Sequence, residues 1–95
     1  MRYFAAIRER GPSWDHARAM PEQDRWVEHA AFMNVLAAEG FVVLGGPLSD
    51  GAKILLIIDA DSEKEIERRL AEDPWTPMGL LPLVSIEPWQ IMLGD

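Results

Sequence analysis

Two residues carry most of the chemical interest in this chain, His29 in "RWVEHAAFMN" and Asp73 in "EDPWTPMGLL". The sequence has two histidines and no cysteine, so thiolate catalysis, disulfides and cysteine metal sites are excluded and any reaction falls to imidazoles, carboxylates or hydroxyls. Three and four residues either side of His29 stand Arg25, Trp26, Phe32 and Met33, its neighbours on a helix surface. An imidazole in that company is at least partly buried, and spacing alone is met by a core histidine with one hydrogen bond as readily as by a catalytic one. Asp73 precedes Pro74, which reads locally as a helix stop with a turn-forming side chain. A carboxylate at a helix C-terminus opposes the helix dipole by on the order of a few tenths of a kcal/mol. Should the two residues meet, an ionised carboxylate bonded to one ring nitrogen would fix the tautomer and leave the other nitrogen to move a proton near neutral pH. Positioned acid–base work of that kind contributes roughly 10² to 10⁴-fold in rate. His16, in the polar segment "SWDHAR", reads as a solvated side chain.

Other segments carry weaker chemistry. "LGGPLSDG" lets backbone approach a ligand through Gly45 and Gly46, yet it is equally an ordinary hairpin connection and lacks the spacing and Lys of a phosphate-binding loop. Asp59, Asp61, Glu63, Glu65 and Glu67 surround a helix start, where negative charge is favourable, so they read as a solvated acidic face. No His and carboxylate cluster has metal-ligand spacing, and no metal or organic cofactor is expected.

The elements that must position His29 and Asp73 follow from periodicity. "RYFAAIR" is a short strand ended by Gly11 and Pro12. From Pro21 to Gly40 the pattern predicts a helix of about 18 residues, roughly 27 Å long, with Pro at its start and Gly at its cap. "FVVLGGPL" and "KILLIIDA" are two strands; Ser62 and Glu65 form a capping box for a second helix, with Ile66 and Leu70 one turn apart. "PLVSIEPW" is a last strand, with Pro88 marking an edge or an end. The order β-α-β-β-α-β is the split βαβ, or ferredoxin-like, α+β arrangement: a four-stranded antiparallel sheet with both helices on one face. Two helices side by side on that face can bring the middle of the first near the loop leaving the second.

Ninety-five residues with 48% apolar content suit one compact domain over residues 1–95, and no segment has disordered composition. A net charge of −7 disfavours nucleic acid, and no apolar run nears the roughly 20 residues of a membrane span. With no signal-peptide pattern at the N-terminus, a cytoplasmic location is expected. Both alternating side-chain sets of "ILLII" and "FVVL" are apolar, whereas a solvated sheet face should be polar at every second position. A homodimer formed sheet to sheet covers that face most economically.

Taken in order, these pieces resemble the YCII-related proteins, small dimeric α/β-barrel domains of the ferredoxin-like type. The resemblance spans nearly the whole chain and rests on Arg25 and His29 in the first helix, Gly46-Pro47 after the second strand, Asp73-Pro74-Trp75 after the second helix, Gly79, and a final Pro88-Trp89. It implies that His29 and Asp73 face one another in a cleft as a paired catalytic site, with Arg25, Trp26, Gly46, Pro47 and Trp75 as ligand-binding neighbours. It also implies a small homodimeric enzyme of lyase, isomerase, dehalogenase or hydrolase type, because a member removes chloride from a chlorinated hydroxyquinol. The alternative it leaves open is a non-catalytic small-molecule-binding or regulatory dimer. Trp26, Phe32, Trp75 and Trp14 favour an aromatic or otherwise apolar ligand. The sequence departs from the family at Pro77, which alters the cleft wall, and its loop "ERGPSWDHARAMPEQ" is long enough to form a pocket rim.

Overall fold

The computed structural model describes residues 2–94. The chain runs β1 (Tyr3–Glu9), α1 (Trp26–Ala38), β2 (Val42–Pro47), β3 (Lys53–Asp59), α2 (Glu63–Ala71), α3 (Trp75–Met78) and β4 (Leu83–Trp89), with a 3-10 turn at Met20–Glu22. The strands form one antiparallel sheet in the order β2-β3-β1-β4, which is the expected ferredoxin-like α+β arrangement. Alternation along a strand sends successive side chains to opposite faces. Phe4, Ala6, Ile54, Leu56 and Ile58 point to one face and join Leu36 of α1 and Ile66 and Leu70 of α2 in the core. On the other face Ala5 and Ile7 of β1 lie opposite Ile57 and Leu55 of β3, with Leu44 of β2 beyond them and 67% exposed. Ser85 and Glu87 on the β4 side, with Glu9, Lys53 and Asp59 at the strand ends, are polar positions on that face.

The first helix is shorter than its composition predicts. It has 13 residues, because the chain over Met20–Glu22 closes a 3-10 turn and Arg25 then adopts a left-handed backbone at φ 59°. Gln23 explains the interruption. Its buried carboxamide accepts from the Asp15 N–H at 3.1 Å and donates to the carbonyls of Asp15 at 2.8 Å and Arg18 at 3.0 Å, so this residue holds the long loop down instead of extending the helix. At the far end Gly40 (φ 82°) closes a Schellman cap, with its N–H on Ala37 O at 3.1 Å and that of Phe41 on Leu36 O at 3.0 Å.

The second helix starts as expected. Ser62 Oγ accepts the Glu65 N–H at 3.2 Å, but the Glu65 carboxylate takes the N–H of Asp61 at 2.8 Å, one residue before the cap. Glu63 and Glu65 in its first turn and Arg68 and Arg69 in its last suit the helix dipole. The short α3 was not legible in the sequence. Pro74 fits the first turn of a helix, which lacks N–H partners anyway, and Asp73 takes the Trp75 N–H, so "DPWTPM" stops one helix and starts another.

Candidate functional site

Asp73 lies in the turn between α2 and α3, where its carboxylate is fully buried and receives three donors. Oδ1 accepts the Trp75 N–H at 2.9 Å. Oδ2 accepts from Arg8 Nη1 at 2.7 Å and faces His29 Nδ1 at 2.8 Å. Burial alone would raise the carboxyl pKa, but the bonds from His29, the Trp75 amide and Arg8, together with the Arg8 charge, outweigh it and hold the group below its ordinary value. The carboxylate is therefore ionised near neutral pH, and an ionised oxygen only accepts. Nδ1 of His29 accordingly carries the proton.

His29 occupies the first turn of α1 and its ring is fixed on a second side by Trp75, stacked at 3.8 Å between centroids and 6° between planes. Trp75 is itself immobilised: its Nε1–H donates to Asp24 O at 2.7 Å, and Trp14 packs edge-on against it at 5.8 Å. The other imidazole nitrogen, Nε2, has no hydrogen-bond partner among the described residues and is not sealed from the exterior. His29 borders a cavity of about 330 Å³ between α1 and β2, lined by Met20, Trp26, Met33, Gly45-Gly46-Pro47, Leu56 and Leu81 among others. Arg8 and His29 are the titratable groups in that lining. A larger hollow of about 540 Å³ lies near Arg2, Tyr3 and Trp89, away from the His29 and Asp73 pair.

Of the residues singled out from sequence, the structure brings His29, Asp73, Trp26, Gly46 and Pro47 to this place. Trp75 is present as the platform beneath the imidazole, buried and outside the cavity lining. Arg25 stands apart: its left-handed backbone turns it to the surface, where its Nε donates to Glu28 at 2.9 Å. Trp14 packs behind Trp75, and Phe32 belongs to the core margin. The long loop reaches the cavity through Met20. Among the described residues no group of three or more His, Cys, Asp or Glu could hold a metal ion.

The residue that sequence reasoning missed is Arg8. It is 1% exposed, and its guanidinium donates to Asp73 Oδ2, to Leu81 O at 2.7 Å through Nε and to Thr76 Oγ1 at 3.2 Å through Nη2. A signal was available. In "RYFAAIR" Arg8 is in phase with Phe4 and Ala6, so the strand that buries those two must bury a guanidinium, and a buried guanidinium needs a carboxylate.

A family model described as the YCII-related domain matches residues 1–90. No protein of curated function matches the sequence. Among solved structures the chain is similar to the 5-chloro-2-hydroxyhydroquinone dehydrochlorinase of Burkholderia phenoliruptrix AC1100 in complex with 2,5-dihydroxybenzoquinone. The TM-score is 0.59 and the identity 24%, covering 92% of this chain and 93% of that chain. Similarity at that identity speaks to the fold.

Proposed function

The chain belongs to the YCII-related domain family, and we propose that it is a small enzyme in which His29 is the general acid/base and Asp73 orients it. One observation carries the reading: the 2.8 Å contact of His29 Nδ1 with Asp73 Oδ2 leaves Nε2 unpartnered beside an apolar cavity. A base must lie within hydrogen-bond reach of the proton it moves, and Nε2 is the atom available for that. The cavity size and its Trp, Met, Leu and Ile lining suit a small aromatic or other largely apolar molecule. The reaction is of the lyase, isomerase or dehalogenase kind, needing proton transfer and neither metal nor organic cofactor. The similarity to a dehydrochlorinase makes chlorinated hydroxy-aromatics the first compounds to try.

The protein works as a homodimer formed through the open sheet face. Support comes from Ala5, Ile7, Leu44 and Leu55, an apolar band across three strands beside the buried Ile57 that no helix among the described residues covers. Leu44→Glu is expected to give a monomer in light scattering; an unchanged mass would remove that interface.

The functional test is turnover. Chlorinated hydroxy-aromatics, beginning with 5-chloro-2-hydroxyhydroquinone, are incubated with wild type, His29→Ala and Asp73→Asn, and chloride release and product are followed. A fall of about 10²-fold or more in kcat for folded His29→Ala is expected from loss of positioned acid–base work. Wild-type turnover by that variant would rule the role out.

A further inference from the structure

Asp73 Oδ2 is shared, and that sharing is unlike an ordinary buried arginine clamp. A structural Arg–carboxylate pair gains most from a two-pronged fork using both oxygens. Here the Trp75 amide holds Oδ1, so the guanidinium and the imidazole converge on one atom, at 2.7 and 2.8 Å. The two nitrogens are therefore at most about 5.5 Å apart, close enough for the fixed guanidinium charge to oppose a second positive charge on the ring. On the 3-10 turn and loop packed against α1, Glu22 accepts the Ala19 N–H and Asp24 pairs with Arg18 at the surface. Arg8 comes from β1 and Asp73 from the turn before α3; on α1 itself Arg25 and Glu28 pair with each other at the surface. The β2 and β3 residues of the cavity wall are apolar or glycine.

We infer that Arg8 is a positioning residue: its charge cancels that of Asp73, so His29 enters the reaction as a neutral base with Nε2 open, and the site takes substrates that surrender a proton inside it. The inference rests on the acid–base reading above and narrows its substrate class to compounds with an acidic O–H or C–H, such as hydroxy-aromatics, enols and carbon acids. In the step itself the Nε2 lone pair takes the substrate proton, the H–O or H–C bond breaks, and its electron pair stays on the substrate. The new imidazolium keeps its Nδ1–H on Asp73 Oδ2. Arg8 and the imidazolium then outweigh the single carboxylate, so the region gains one positive charge as the substrate gains a negative one. The same Nε2–H is later returned to the substrate or its leaving fragment.

The test reads the imidazole directly. Two-bond ¹H–¹⁵N correlations of the histidine rings are recorded across neutral pH for wild type, Arg8→Gln, Arg8→Lys and Asp73→Asn, with His16→Gln to assign the two residues. Wild type is expected to show His29 as the Nδ1–H tautomer at pH 7. Arg8→Gln should raise the ratio of imidazolium to imidazole at least tenfold, Arg8→Lys should return it toward wild type, and Asp73→Asn should lower it at least tenfold. A merely structural arginine would alter melting temperature and leave these ratios where they are. His29 doubly protonated in wild type at pH 7, or a ratio indifferent to Arg8→Gln, overturns the proposal. Should Arg8→Gln not fold, Arg8→Met is read in its place with the same outcomes, and a doubly protonated wild-type His29 at pH 7 overturns the proposal in either case. Expected ratios with no turnover of any proton-yielding substrate would remove the enzyme reading and leave the charge effect; turnover dependent on His29 with indifferent ratios would do the reverse.

Discussion

Two charged contacts tie α1 to the region of α2, one near each end of α1, and their lengths barely differ. His29 Nδ1 meets Asp73 Oδ2 at 2.8 Å, and Arg69 Nη2 meets Glu39 Oε1 at 2.7 Å. Their surroundings are opposite. Asp73 and its second partner Arg8 are 0% and 1% exposed, whereas the Glu39 side chain is 48% exposed and that of Arg69 25%. Distance therefore says little about what each contact does. Water screens the second pair, and such exposed pairs are worth about 0.2–1 kcal/mol. Around Asp73, desolvation of the Arg8–Asp73 ion pair costs several kcal/mol and the attraction roughly offsets it, so the intact cluster adds little net stability while its breakage costs about 3–5 kcal/mol. A hydrophobic trio would hold the same elements together. What it could not do is present an oriented imidazole to a cavity.

The largest expected effect breaks the buried side of this comparison. Asp73→Ala strands the Arg8 guanidinium with only neutral acceptors, Leu81 O and Thr76 Oγ1, and urea unfolding at neutral pH should show a loss of about 3–5 kcal/mol. Arg8→Met combined with Asp73→Ala should regain much of that loss, because no unpaired charge remains. A double variant as unstable as the two single losses added would show that lost packing, not lost charge balance, is responsible.

Acid should separate the regions next. The Asp73 carboxyl has a lowered pKa in the folded protein despite its burial, through His29, the Trp75 amide and Arg8. A group of that sign contributes stability that is complete above its unfolded value, ordinarily about 3.9, and is lost as pH falls through the folded value. Unfolding free energy followed downward from pH 5 should thus fall more steeply for wild type than for Asp73→Asn. Parallel slopes would mean that the neighbours do not hold the carboxylate anionic.

The two regions were also unequally legible in the sequence. The strands, the Ser62 cap and the ferredoxin-like order follow from period-two and helical patterns, which are local and need no knowledge of contacts. His29 and Asp73 were nameable as candidates, yet their meeting is a tertiary fact: 44 residues separate them, and no spacing rule fixes a distance across two elements. The start of α1 was misplaced because Gln23, an unremarkable helix residue by type, spends its side chain on loop carbonyls. Arg8 was overlooked for a related reason. Arginine bracketing a short strand reads as solvated, and only its phase with Phe4 and Ala6 shows that it faces inward.

The smallest expected effect sharpens the exposed side. Glu39→Gln should cost about 0.2–1 kcal/mol, and 1 M NaCl, where the Debye length is about 3 Å, should erase the difference from wild type. The Asp73→Ala loss should persist in the same salt, because ions do not reach a buried guanidinium. Arg69 also lies over the Phe41 ring, 4.7 Å from its centroid, and that contact survives in Glu39→Gln. Arg69→Ala should accordingly cost more than Glu39→Gln, and the excess should withstand salt, since it comes from contact with the ring and not from the ion pair. Equal losses for the two variants, both erased by salt, would reduce this end of α1 to a screened charge pair and leave the buried cluster as the sole charged contact between the helices with a measurable effect.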